Sequence, residues 1–139
     1  MLILDTNHYS ELGRRGAIGL RLEQRLDAAG EDAFLTIVTA AEALRGWLSA
    51  IRPNAQADRG VWAYAELQAC INDLATWDVL PWSQDAADTF GALKKRLPNI
   101  GTLDLRIASI ALEYDATVLT RNLKDFNRVP GLKFENWLD

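Results

Sequence analysis

Leu2-Ile3-Leu4-Asp5-Thr6-Asn7 joins a wholly apolar run to an acid, and that junction decides the fold. Three consecutive apolar residues without polar alternation read as a strand buried on both faces, as in a parallel sheet. Asp5 stops the run and marks the strand's carboxyl end. Outward from there, residues 7–15 and 18–29 read as a helical pair broken near Gly16, with Ile18, Leu22 and Leu26 on one face of the second helix. Gly30 closes that helix, and a second strand is expected over 33–37.

A helix over 39–51 presents Ala40, Ala43, Leu44, Trp47 and Ile51, and Pro53-Asn54 ends it. The helix over 60–75 is expected to pack through Val61, Leu67, Ile71 and Leu74. Strands are expected over 77–81, 117–119 and 132–134, and helices over 84–96 and 103–114. Strands alternating with helices, linked by crossovers of this length, give one α/β domain over residues 1–139 with a mostly parallel sheet of four to five strands.

Composition narrows the class. In 139 residues, 49% hydrophobic and 24% charged, there is enough apolar material for a core without disulfides. No apolar run approaches the roughly 20 residues that span a bilayer, and the first residues lack a basic signal-peptide region, so a cytoplasmic protein with no membrane partner is expected. Cys70 stands alone and reads as a small core residue. A net charge of −4 argues against coating nucleic acid by bulk electrostatics. Local basic clusters at Arg14-Arg15, Lys94-Lys95-Arg96 and Arg121/Lys124/Arg128 can still guide a phosphate backbone, or serve as ordinary solvated charges.

Three acids stand where strands hand over to helices. Asp5 can cap the helix that follows it. Glu42 follows Thr39 at the spacing of a capping box, and Asp104 sits in a first helical turn, where the helix dipole favours a carboxylate. Taken together they predict more. The carboxyl ends of parallel strands share one edge, where ligands bind, so Asp5, Glu42 and Asp104 are expected to converge in one cleft. Clustered carboxylates repel each other unless a cation neutralises them. With oxygen ligands and no His or Cys, that cation is Mg²⁺, with Mn²⁺ as the substitute, and a metal-activated water makes phosphodiester hydrolysis the natural chemistry.

Beyond the fourth strand, Thr120 to Phe126 offers Asn122 as a carbonyl ligand and Asp125 as a carboxylate. Equally, this is a polar turn in which Asn122 takes an awkward backbone angle. Thr6, Asn7 and Thr102 flank the acids and can bind a phosphate or a water, or simply start helices. His8, the only histidine, stands near enough to Asp5 to act as a base, but is expected on the helix surface beside the cleft.

These segments resemble PIN domains. The opening Leu4-Asp5-Thr6-Asn7, the stretch from Thr39 through Glu42 to Gly46, Ile100 to Ala108 around Asp104, and Thr120 to Phe126 occur in the family's order and spacing. The tail from Arg128-Val129-Pro130-Gly131-Leu132 through Asn136-Trp137 is similar to that of VapC-type toxins. The resemblance implies a three-layer α/β/α fold and a metal-dependent endoribonuclease, with metal-site acids at Asp5, Glu42 and Asp104. It implies too a homodimer silenced by a small VapB-type antitoxin, and RNA as substrate. Where many relatives carry a fourth acid, this chain has Asn122.

Trp47, Leu48, Trp62 and Tyr64 supply more large apolar groups than one buried face needs, and mark an expected partner groove. Packing of the two helices on each other should use at least half of them. One rival reading keeps the fold as a catalytically weak RNA-binding or antitoxin-binding module. A phosphatase using Asp5 as nucleophile fits poorly, since a second Asp would be wanted where Asn7 stands.

Overall fold

A strand buried on both faces must be sandwiched between helical layers, and β1 (Leu2–Leu4) is fully buried at each position. A computed structural model of the chain describes residues 1–52 and 56–139. In it β1 lies at the centre of a five-stranded sheet of order β3-β2-β1-β4-β5, formed with β2 (Ala33–Thr36), β3 (Val79–Leu80), β4 (Thr117–Leu119) and β5 (Lys133–Glu135). Every pairing is parallel, with Leu2 opposite both Ala33 and Thr117. All five carboxyl ends therefore meet at one edge.

Alternation along the strands sorts the two cores. Ile3 and Val118 face a layer built by α5 (Gln84–Arg96) and α6 (Thr102–Tyr114), packing with Ala86, Leu93, Leu105 and Ile107. Leu2, Leu4, Leu35 and Leu119 face the opposite layer, contributed by α1 (Thr6–Arg14), α3 (Ile37–Ala50) and α4 (Gly60–Leu74) through Tyr9, Ala40, Cys70 and Leu74. The remaining helices are α2 (Ala17–Ala29) and the short α7 (Leu123–Phe126). This is the three-layer α/β/α arrangement expected. Among the described residues no helix is long and apolar enough to cross a membrane.

Several boundaries differ from the expectation. Helix α3 starts at Ile37, and its cap is Thr36, whose hydroxyl accepts the Thr39 N–H at 3.2 Å. The Thr39–Glu42 capping box is thus not formed: Thr39 lies inside the helix, its buried hydroxyl without a partner among the described residues. The expected helix end at Pro53-Asn54 lies outside the described residues. Helix α4 turns Ala63, Cys70 and Leu74 inward, whereas Val61 and Ile71 are 67% and 49% exposed. Leu74 is buried as expected, and the small Ala63 and Cys70 complete the inward stripe in place of Val61 and Ile71.

Close packing also governs the α1–α2 pair. A side chain on Gly19 would run into the Glu11 carbonyl of α1. Gly19→Ala is expected to cost about 1–3 kcal/mol, read as a lower melting temperature by circular dichroism. An unshifted melt would mean that the helices have room to separate.

Candidate active site

Asp5 is delivered to the cleft by the sheet. Its backbone N–H donates to the Leu119 carbonyl at 3.0 Å, which carries the β1–β4 ladder one residue past the strand. Its side chain then caps α1, Oδ1 accepting the His8 N–H at 2.9 Å. The strand order changes direction between β1 and β4, and the crevice of a parallel sheet opens at such a point.

A cleft of about 390 Å³ opens there, lined by Asp5, Thr6, Asn7, Glu42, Thr102 and Asp104, with Gly101, Leu103 and Ile107 as its apolar and backbone wall. The three acids expected to converge do share it. Asp104 enters from the first turn of α6. Desolvation pushes its carboxyl above the ordinary range and the charges of Asp5 and Asp125 push it further, against a lowering contribution from its hydrogen bond to Asn122.

Asn122 does not line the cleft but is bound to it. Its Nδ2 donates to Asp104 Oδ2 at 3.0 Å and to Asp125 Oδ2 at 2.9 Å. The amide therefore presents its donor, not its carbonyl, to the acids. Its backbone, at φ −84° and ψ 59°, is neither helical nor extended, and the Leu123 N–H donates to the Arg121 carbonyl at 3.0 Å across it, so the expected polar turn is present as well. Asp125 joins the constellation through the same amide.

Glu42 lines the cleft but already has a cationic partner. Arg45, one turn along α3, grips its Oε1, and this pair is partly exposed. Among the described residues no three His, Cys, Asp or Glu side chains are gathered closely enough to enclose an ion. Oxygen ligands and crowded, desolvated negative charge fit a hard divalent ion. Asp5 and Asp104 are the groups able to hold it.

His8 departs from expectation. Far from being a surface residue, it is fully buried, with Nδ1 3.1 Å from Asp5 Oδ1 and Nε2 accepting the Trp137 N–H at 3.2 Å. Its position three residues after Asp5 was a visible signal; its contact with the tail was not. Lys94 was visible only as part of a charge run. Its Nζ lies 3.3 Å from the Ile100 carbonyl and 3.4 Å from Thr102 Oγ1, at the rim of the cleft. Arg121 is not a free cation, being paired with Glu11 at 3.7 Å and Asp139 at 3.5 Å.

The expected partner residues lie away from the cleft on α3 and α4. Trp47 and Trp62 meet edge to face at 5.5 Å, and Trp47 also packs on the core. Leu48, Trp62 and Tyr64 remain 57%, 62% and 60% exposed.

A sequence model of the PIN domain family matches residues 2–132. The chain belongs to the PIN domain family. Among relatives of this PIN domain, the protein named Ribonuclease VapC2 from Rickettsia felis is 37% identical over 68 residues, which cover 46% of this chain and 51% of that protein. Ribonuclease VapC1 from Haemophilus influenzae is 42% identical over 45 residues, covering 32% and 34%. The chain thus spans about half the length of the first relative and about a third of the second.

Solved structures extend the PIN likeness over nearly the whole chain. VapBC-1 from nontypeable Haemophilus influenzae superposes with a TM-score of 0.78 at 23% identity, covering 99% of this chain and 98% of that one. VapBC2 from Rickettsia felis, bound to a DNA fragment from their promoter, gives 0.73 at 24% identity and 98% of each chain. FitAcB from Neisseria gonorrhoeae gives 0.71 at 25% identity, covering 99% and 98%. At such identities the superpositions speak to the fold.

Proposed function

We propose that this PIN domain is a divalent-metal-dependent endoribonuclease, the toxin of a pair whose antitoxin is of the VapB type. The observation that carries this reading is the meeting of Asp5, Glu42 and Asp104 in one cleft, with the Asp104 carboxyl pushed up by burial first and by Asp5 and Asp125 after it. The names of the relatives support it, two of them being called ribonucleases and two of the matched structures being of VapBC proteins.

In this reading Asp5 and Asp104 hold Mg²⁺ (or Mn²⁺), while Glu42 either completes the ligands or orients the attacking water. A bound cation would supply neutralisation of phosphate charge and a water made more acidic. Asn122 fixes the Asp104 carboxylate with one amide hydrogen and restrains Asp125 with the other. Thr6 and Thr102 supply hydroxyls to the phosphate or to water, and Lys94 offers a rim cation to the RNA backbone. Hydrolysis adds water across a P–O bond, leaving 5′-phosphate and 3′-hydroxyl ends. Single-stranded or looped RNA is the expected target, since its backbone is accessible. Leu48, Trp62 and Tyr64 form the surface assigned to the antitoxin, and the working unit is a cytoplasmic homodimer.

Purified chain freed of partner should cut total RNA into discrete fragments with Mg²⁺ and leave it intact with EDTA. A folded chain that binds Mn²⁺ but cuts nothing would move the reading to an RNA- or antitoxin-binding module. One consequence concerns Arg45. Its pairing with Glu42 is exposed enough to contribute no more than about 1 kcal/mol, so Arg45→Ala should barely change the melting temperature. Freed to turn into the cleft, Glu42 should then tighten Mn²⁺ binding several-fold by titration calorimetry; weaker binding would sink its assignment as a ligand.

A further inference from the structure

His8 is a buried polar group that the proposed chemistry leaves unused. Its ring lies wholly out of solvent between the cleft acid and the carboxyl-terminal tail. The Trp137 N–H has only a proton to give, so Nε2 must present its lone pair. A neutral ring then carries its proton on Nδ1 and donates it to Asp5 Oδ1. The tail backbone thereby fixes the tautomer, and the tautomer fixes what Asp5 receives.

Asp5 Oδ1 accepts twice from the same residue, at 2.9 Å from the His8 backbone and 3.1 Å from its ring. With that oxygen held, the carboxylate cannot rotate, and Oδ2 is the atom left to bind an ion. Nothing about the tail makes its docking casual. Leu138 is buried, the Trp137 ring packs with the Leu2, Leu4 and Leu119 core, and Arg25 stacks on it at 4.4 Å. These residues lie beyond the 2–132 stretch matched to the family.

We propose that His8 is a positioning residue, and that docking of Asn136–Leu138 sets the Asp5 carboxylate through it. The inference rests on the reading of Asp5 as a metal ligand and makes ion affinity depend on a segment remote in sequence. Outer partners of metal ligands commonly change affinity about 10–100-fold.

Three variants of the full chain separate the two ends of this relay. His8→Leu removes both ring hydrogen bonds, keeping the backbone one, and should weaken Mn²⁺ binding at least about 10-fold while the circular dichroism spectrum stays native. His8→Asn places an amide N–H where Nδ1 stood and should recover most of that affinity. His8→Gln places a carbonyl where Nε2 stood, so it should keep the Trp137 amide protected from hydrogen exchange without restoring the ion. Full Mn²⁺ affinity in folded His8→Leu overturns the proposal, as does equal rescue by Asn and Gln. If the native chain binds no Mn²⁺, the metal-site reading fails on its own. Ring ¹⁵N shifts then decide the relay, a proton on Nε2 overturning it and one on Nδ1 supporting it.

Discussion

Asp104→Asn is expected to reduce RNA cleavage by on the order of 10³-fold while making the metal-free protein no less stable. The two effects have one source. Asp104 is pushed up by desolvation first and then by Asp5 and Asp125, so its ionised form is penalised in the folded state. A folded carboxyl raised above its unfolded value binds its proton more tightly when folded. Its neutral form favours folding at pH values below the unfolded pKa, and that benefit is lost as pH rises through the folded one. At neutral pH the native chain without metal carries the full cost, and the amide variant does not.

The gap in melting temperature between variant and native chain should therefore open as pH rises through the carboxylate range and stay flat above it. Saturating Mn²⁺ reverses the order, because only the native site gains from the ion, by about 2.7 kcal/mol at a hundred times the Kd. Native-like cleavage by the variant would remove Asp104 from the chemistry. A variant that melts lower at neutral pH without metal would contradict the crowding of the acids.

Asn122→Asp is the second large effect. Two amide hydrogens now hold Asp104 and Asp125 together at 3.0 and 2.9 Å. An aspartate there replaces both donors with charge, so three carboxylates meet where an amide had bridged two. Without metal this should cost on the order of 2–3 kcal/mol at neutral pH, a fall of roughly 6–10 °C in melting temperature. Lower pH should restore part of it by protonating the raised carboxyl. Divalent ions should restore more, with tighter Mn²⁺ binding or a second bound ion in calorimetry. An unchanged melt without metal would mean that the bridging amide contributes nothing.

The sheet was legible because its central strands are short runs, apolar in all but Thr117, that stop at turn or helix signals. Leu2–Leu4 and Thr117–Leu119 occur where expected, and α5 has its expected limits. Asp5, Glu42 and Asp104 could be brought to one edge from strand direction alone. What escaped depended on partners distant in sequence. Thr36 and Thr39 are equally good caps on paper, and Ile37-Val38 favours a strand locally, so only packing decides that α3 begins at Ile37. In α4 the apolar residues nearly encircle the helix, and contact with the core selects the stripe of Ala63, Cys70 and Leu74. His8 looks like a solvent-side residue until the tail covers it.

That last contact joins residues 129 apart along the chain. Together with the pairing of Leu2 and Thr117, it makes the central strand wait for segments synthesised long after it. During translation Asp5 emerges well before Asp104 and Asn122, and before the Trp137 N–H that His8 Nε2 accepts. A nascent chain that has not yet reached Trp137 therefore lacks the fully assembled cleft, and activity of the proposed kind must wait until that residue has been made.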